Sequence, residues 1–191
     1  MIVMMHTKIQ QRILPLALIL VILSSACINN PTQKYYAGDV RNFRADLIIA
    51  ERTPVYPNED ALTKLLLRED IVRIWIGYYP EEGRDAYYAA ASFELANKLV
   101  IINRAHFLSY PRIELAPINT SADIDRFRAP AEPLILLLGE GKANKTAVTV
   151  GDNIVYVEGE SFKEVGRTYT DLDLAVDKLL LVLMKEDFNT S

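Results

Sequence analysis

Residues 133–146 read "PLILLLGEGKANKT", and the reading of this stretch decides the fold. Leu134 to Leu138 is an unbroken apolar run of strand length. That is the pattern of a central strand covered on both faces. It leads into a loop that ends in Lys145-Thr146. The phosphate-binding pattern G-x-x-x-x-G-K-[ST] is matched by Gly139, Lys145 and Thr146, but its sixth position holds Asn144. Glycine is needed there so that the backbone can wrap the phosphates. A phosphate loop also runs into a helix whose N-terminus holds the anion. Here "AVTVGDNIVYVEG", 147–159, alternates with period two on both sides of Gly151-Asp152-Asn153, which makes a hairpin. The stretch is a central strand, a surface loop and a hairpin. No nucleotide and no other cofactor is expected.

The rest of the chain builds outward from that strand. "IVRIWIGYY", 71–79, is β-branched and aromatic and predicts a strand. "DAYYAAASFELANKLVII", 85–102, is apolar around most of its circumference, with Glu94 and Lys98 as an i,i+4 pair on the remaining stripe. Such a helix is expected to lie buried between layers. "RIELAPI", 112–118, closes a βαβ crossover. Before it, "DVRNFRADLIIAE" predicts a helix over 39–51, with Val40, Phe43, Leu47 and Ala50 facing inward. A second helix starts at "PNEDALTKLLLRED", with Asn58 as N-cap. The last helix, from Thr170 or Asp171, is strongly apolar after Asp177. The fold class is α/β, with a mixed sheet of about five strands, helices on both faces, and strand 134–138 packed between helices 85–102 and 170–184.

The chain has 191 residues, 50% hydrophobic and 24% charged, which suits one globular domain. Its N-terminus carries a separate signal. His6, Lys8 and Arg12 form a basic region, Ile13 to Leu23 is almost wholly apolar, and Ser24, Ser25 and Ala26 precede Cys27, the only cysteine. This apolar run is shorter than the ~20 residues of a spanning helix and suits a secretory signal. "LSSAC" resembles the lipobox of exported lipoproteins, although Ser24 stands where that family usually has leucine. The resemblance implies cleavage before Cys27 and lipidation of its thiol. Cleavage as an ordinary signal near Ala26, or retention as a short anchor, are the alternatives. The expected division is a signal over 1–27, a tether over 28–34 and one extracytoplasmic domain over 35–191. Without Lys8 and Arg12, 19 basic residues face 25 acidic ones. That balance disfavours nucleic acid.

Few groups carry chemistry. Asn119, Asn144 and Asn189 each open an Asn-x-Ser/Thr triplet, an acceptor for N-glycosylation when the compartment provides it. His106, near a helix end, is the only histidine of the expected mature chain, so no second one offers a metal pair there. Asp123 and Asp125 form a single Asp-x-Asp in a loop, too few ligands for a cation site. Asp171, Asp173 and Asp177 are explained by capping and the helix dipole. No catalytic residue and no metal site is expected. Tyr78, Tyr79 and Tyr88 flank the loop "PEEG" and are the best candidates for a contact surface.

The C-terminal end, "IVYVEG" followed by "DLDLAVDKLLLVLM", resembles segments of uncharacterised archaeal envelope proteins; the resemblance brings no catalytic residues. The expected function is a membrane-anchored, extracytoplasmic envelope protein with a non-catalytic binding or scaffolding role. Its partners would be the membrane, through the anchor, and other envelope proteins. The alternatives are a ligand-binding accessory subunit of a transporter and a carboxylate-dependent extracytoplasmic hydrolase. The latter needs two acids about 5–10 Å apart in one cleft.

Overall fold

The computed structural model describes residues 43–106, 111–127, 129–163 and 168–189, with the backbone only for 104–106 and 186–189. The signal, the tether, Cys27 and the first part of the expected 39–51 helix lie outside the described residues. In order, the elements are α1 (Leu47–Arg52), β1 (Val55–Tyr56), α2 (Glu59–Leu66), β2 (Arg73–Tyr78), α3 (Asp85–His106) and β3 (Arg112–Pro117). Then come the single turn α4 (Ser121–Ile124) with a tighter turn at Asp125–Phe127, β4 (Leu134–Leu138), β5 (Ala147–Gly151), β6 (Ile154–Glu158) and α5 (Asp171–Asn189).

The six strands form one mixed sheet in the order β1-β5-β6-β4-β2-β3. β6, β4, β2 and β3 run parallel, β5 is antiparallel to β6, and β1 is parallel to β5. β4 is bonded on both sides, with Ile135 opposite Ile76 of β2 and Val155 of β6. The hairpin turns at Asp152 (φ 50°) and Asn153 (φ 65°). Positive φ at both central residues is the turn whose twist matches the strands it joins. The strand beyond the expected five is β1, two residues between Pro54 and Pro57. It is too short to show a period, and it pairs through Val55 opposite Val148.

Helices were expected on both faces, but α2, α3 and α5 share one. Leu62 and Leu66 of α2, Leu95 and Leu99 of α3, and Leu179 and Leu183 of α5 join Ile74, Ile76, Ile135, Leu137, Val155 and Val157 in one buried cluster. The other face holds Leu134, Leu136, Ala116, Ile118 and Ile154, covered by Phe127 and Ile124 of the 119–133 connection. Because strand side chains alternate, only Ile135 and Leu137 of β4 meet the helices; Leu136 faces the smaller cluster. The first helix also differs from its expectation. Asp46 caps it, its carboxylate accepting from the N–H of Ile48 (2.9 Å) and of Ile49 (3.3 Å). Leu47 is 43% exposed and only Ala50 of α1 is buried. Asn58 caps α2 as expected, accepting from the Ala61 N–H at 2.9 Å.

Candidate functional site

An open α/β sheet binds ligands outside the carboxyl ends of its strands, where successive connections leave in opposite directions. β2 leads through α3 to β3 on one side, while β4 lies on its other side. The candidate site is therefore the loop end between β2 and β4, bounded by residues 79–84 and 139–146.

Arg84 ties those two loops together. Its Nη1 donates to Glu81 Oε2 (3.1 Å) and to the Glu140 carbonyl (2.6 Å), and Nη2 lies 3.5 Å from Glu140 Oε1. The other Glu140 oxygen accepts from the Phe162 N–H at 3.2 Å. Below them, the Tyr78 ring stacks on Tyr88 (5.3 Å between centroids) and the Tyr87 ring on Phe162 (4.7 Å). The Tyr88 hydroxyl accepts from the Gly139 N–H at 3.1 Å, and burial holds its phenol above the ordinary tyrosine range. A Cβ on Gly139 would meet the Phe162 ring at 2.0 Å. This glycine serves close approach of an aromatic ring. The loop then enters β5, with no helix to hold an anion.

Of the three candidate tyrosines, Tyr88 is fully buried and leaves the contact surface. Tyr78 is half-buried in its stack. Tyr79 is half-buried, with the Lys142 ammonium 5.3 Å from its ring centroid. On the face away from α2, α3 and α5, Lys145 lies 4.4 Å from the Tyr56 ring centroid and 3.7 Å from Glu158 Oε2. Asn119 and Asn144 are exposed; the Asn189 side chain and that of His106 lie outside the described residues. Asp123 is a cap. Its carboxylate accepts from the N–H groups of Thr120 (2.9 Å) and Asn119 (3.1 Å), and the Thr120 amide foremost holds it below the usual carboxylate range. Among the described residues no three His, Cys, Asp or Glu side chains gather as a metal site.

A second polar group lies between α3 and α5. Lys98 Nζ stands 2.6 Å from Glu94 Oε1, and both side chains are buried. Asp177, wholly buried on α5, faces Glu94. Its Oδ2 accepts from the Ala45 N–H at 2.7 Å. The Phe43 ring lies 4.1 Å from the Lys98 ammonium, and Arg44 pairs with Asp173 at 3.1 Å. Glu94 Oε2 and Asp177 Oδ1 meet no donor among the described residues. A proton on the Asp177 carboxyl relieves its repulsion with Glu94. Burial first, and then the Glu94 charge, push the Asp177 carboxyl up to about 8.

This proton gives stability a definite slope. The unfolded chain releases it near 3.8 and the folded chain keeps it to about 8. Between those values the folded state binds more protons, so stability falls as pH rises, by at most ~1.4 kcal/mol per pH unit for one proton. The urea midpoint is expected to be lower at pH 8 than at pH 5, and Asp177→Asn is expected to remove most of that difference. An equal difference in the variant would place the titration elsewhere.

The sequence reading assigned Asp177 to capping and the helix dipole, whereas it is buried. A usable signal did exist: two strongly apolar helices each carry charged residues four apart, Glu94 with Lys98 and Asp173 with Asp177. Packing such helices together brings their charged stripes into contact. Comparison with known protein families, curated proteins and solved structures finds no match to the chain.

Proposed function

We propose that this chain is a membrane-anchored, extracytoplasmic envelope protein whose folded domain binds or scaffolds other envelope components without catalysing a reaction. One observation carries the reading. Three ionisable groups at the loop end of the sheet, Arg84, Glu81 and Glu140, are engaged with one another. A catalytic site needs groups turned toward a substrate. The facing carboxyls of Glu94 and Asp177 do not fit the hydrolase alternative, because they are buried in the helix layer rather than set across a cleft. Anchoring is supported by the N-terminal sequence, in which basic, apolar and small residues precede Cys27 in that order. Among the described residues no helix is long and apolar enough to cross a membrane.

The anchor is tested by Cys27→Ser and fractionation of cells. The variant is expected to leave the membrane fraction or to keep its signal, and the parent to carry the mass of a lipid. Equal membrane retention with no lipid on the parent would replace the lipoprotein by an uncleaved anchor. The binding role is tested by capture from intact membranes with a C-terminal tag. Release of a sugar or peptide product by the purified chain would overturn the non-catalytic reading.

A further inference from the structure

The sheet face away from α2, α3 and α5 carries a row of side chains set by strand register. Tyr56 of β1 lies opposite Thr149 of β5, Thr149 opposite Tyr156 of β6, and Tyr156 opposite Leu136 of β4. Their chain neighbours Val55, Val148 and Val155 belong to the cluster under the helices. Strand side chains alternate, so the row points the other way. Tyr79, directly after β2, packs on this same face against the smaller cluster. Tyrosines thus stand on every second strand, at β1, β6 and the end of β2. At ~4.8 Å between strands, the Cα atoms of Tyr56 and Tyr156 are ~10 Å apart, and Tyr79 lies a further ~10 Å across. Tyr56 is 46% exposed; Thr149, Tyr156 and Tyr79 are half-buried.

Polar groups are set among these rings. Thr149 Oγ1 donates to Glu158 Oε2 at 2.7 Å. Lys145 Nζ stands 3.7 Å from the same oxygen and 4.4 Å from the Tyr56 ring centroid. At the far end Lys142 lies 5.3 Å from the Tyr79 ring centroid. Burial first, then the neighbouring Tyr156 phenol, and then Asp123 hold the Tyr79 hydroxyl above the ordinary tyrosine range. The charges on this face balance, Lys142 and Lys145 against Glu158 and Asp123.

That combination selects a ligand chemistry. A pyranose has an apolar face of C–H groups and a rim of hydroxyls. Tyrosine rings suit the face, and a carboxylate beside an ammonium accepts from and donates to the rim. An apolar ligand would strip water from Glu158 and Lys145 and return nothing. A nucleic acid wants a net basic face. A peptide added as a strand needs a longer edge than the two residues of β1.

We propose that this row binds one extended strand of β-1,4-linked neutral pyranoses, with alternate sugars resting on Tyr56, Tyr156 and Tyr79, and with Glu158 and Lys145 bonding hydroxyls between the first two. The inference deepens the binding role proposed above and rests on it, the component bound being a polysaccharide. Alternate sugars of such a chain recur at about the spacing of two strands. Neighbouring strands are rotated by ~20–25°, so tyrosines two strands apart are turned by ~45°. A single free strand follows that turn; a flat crystal of packed chains does not.

The full chain, in a detergent without a sugar headgroup, is titrated by calorimetry with cellohexaose and with chitohexaose. At least one is expected to bind saturably. Tyr56→Ala, Tyr156→Ala and Glu158→Gln are each expected to raise the dissociation constant by about tenfold or more. Phe93→Ala, exposed on α3, is expected to bind as the parent does. Tyr56→Ala is expected to keep the parent's melting temperature, because the ring is exposed, so that its loss of binding is read in a folded chain. No saturable binding of either saccharide, affinity indifferent to Tyr56→Ala and Tyr156→Ala, retention on microcrystalline cellulose or chitin without binding of the soluble chains, or tighter binding of a galacturonate hexasaccharide would each overturn the proposal. None of these outcomes touches the anchor, which Cys27→Ser tests. A chain that binds neither saccharide leaves capture from membranes to decide the wider binding role.

Discussion

Ile135→Asp is expected to leave the chain without a stable fold at neutral pH. Ile135 is fully buried, bonded through its strand to β2 and β6, and belongs to the cluster under α2, α3 and α5. The substitution loses that packing and places a carboxylate in an apolar cluster. An uncompensated buried charge alone costs about 3–5 kcal/mol, against a whole-domain stability of about 5–15 kcal/mol. Leu136→Asp is expected to be severe but milder. Leu136 is 1% exposed yet faces the smaller cluster, which is covered by one connection rather than three helices. Lys142→Asp, in the exposed loop, serves as the control. Circular-dichroism melts of the full chain decide the order. Melting of Ile135→Asp within a degree or two of the parent, or above Leu136→Asp, would show that the helices cover the other face.

The second large effect is expected at Lys98. Lys98→Met keeps a long apolar stem and removes the ammonium from beside Glu94 and the Phe43 ring. Glu94 then faces Asp177 without that ammonium, and about 3–5 kcal/mol of stability is expected to go. Adding Glu94→Leu is expected to restore most of it, because the group left behind is gone. Urea titration of the two single variants and the double variant measures the coupling. A double variant no better than Lys98→Met would show that the aliphatic stem, not the charge, is what the site needs.

Much of the architecture was legible because it depends on local patterns. The run Leu134–Leu138 marked the central strand, the period-two segments around Asp152-Asn153 marked the hairpin, and Asn58 marked the start of α2. The crossover through α3 followed from an apolar helix set between two strands. What could not be read was direction. An all-round apolar helix does not say which side faces the core, and α3 uses its charged stripe inward and an apolar one outward. For the same reason "LILLL" showed burial on both faces without showing that only one face lies under helices. β1 was invisible because two residues have no period. At the loop end, the sequence showed the tyrosines but not that Tyr88 would turn inward to accept from Gly139. That depends on Phe162, 23 residues further along the chain. Asp177 looked like a helix-start acid because its partners, Glu94 and the Ala45 amide, are remote in sequence.

The fastening of residues 43–45 has a mechanical consequence. Phe43, Arg44 and Ala45 are fastened in succession to Lys98, Asp173 and Asp177. A pull reaching Phe43 along the backbone is therefore passed to α3 and α5 before it reaches β1. Those three contacts break in sequence, and two of them rest on charge while the third is a hydrogen bond from the Ala45 N–H to the Asp177 carboxyl. Such a fastening yields to sustained load step by step, as a row of stitches does, while the parallel strands β6, β4, β2 and β3 stay unstretched behind it.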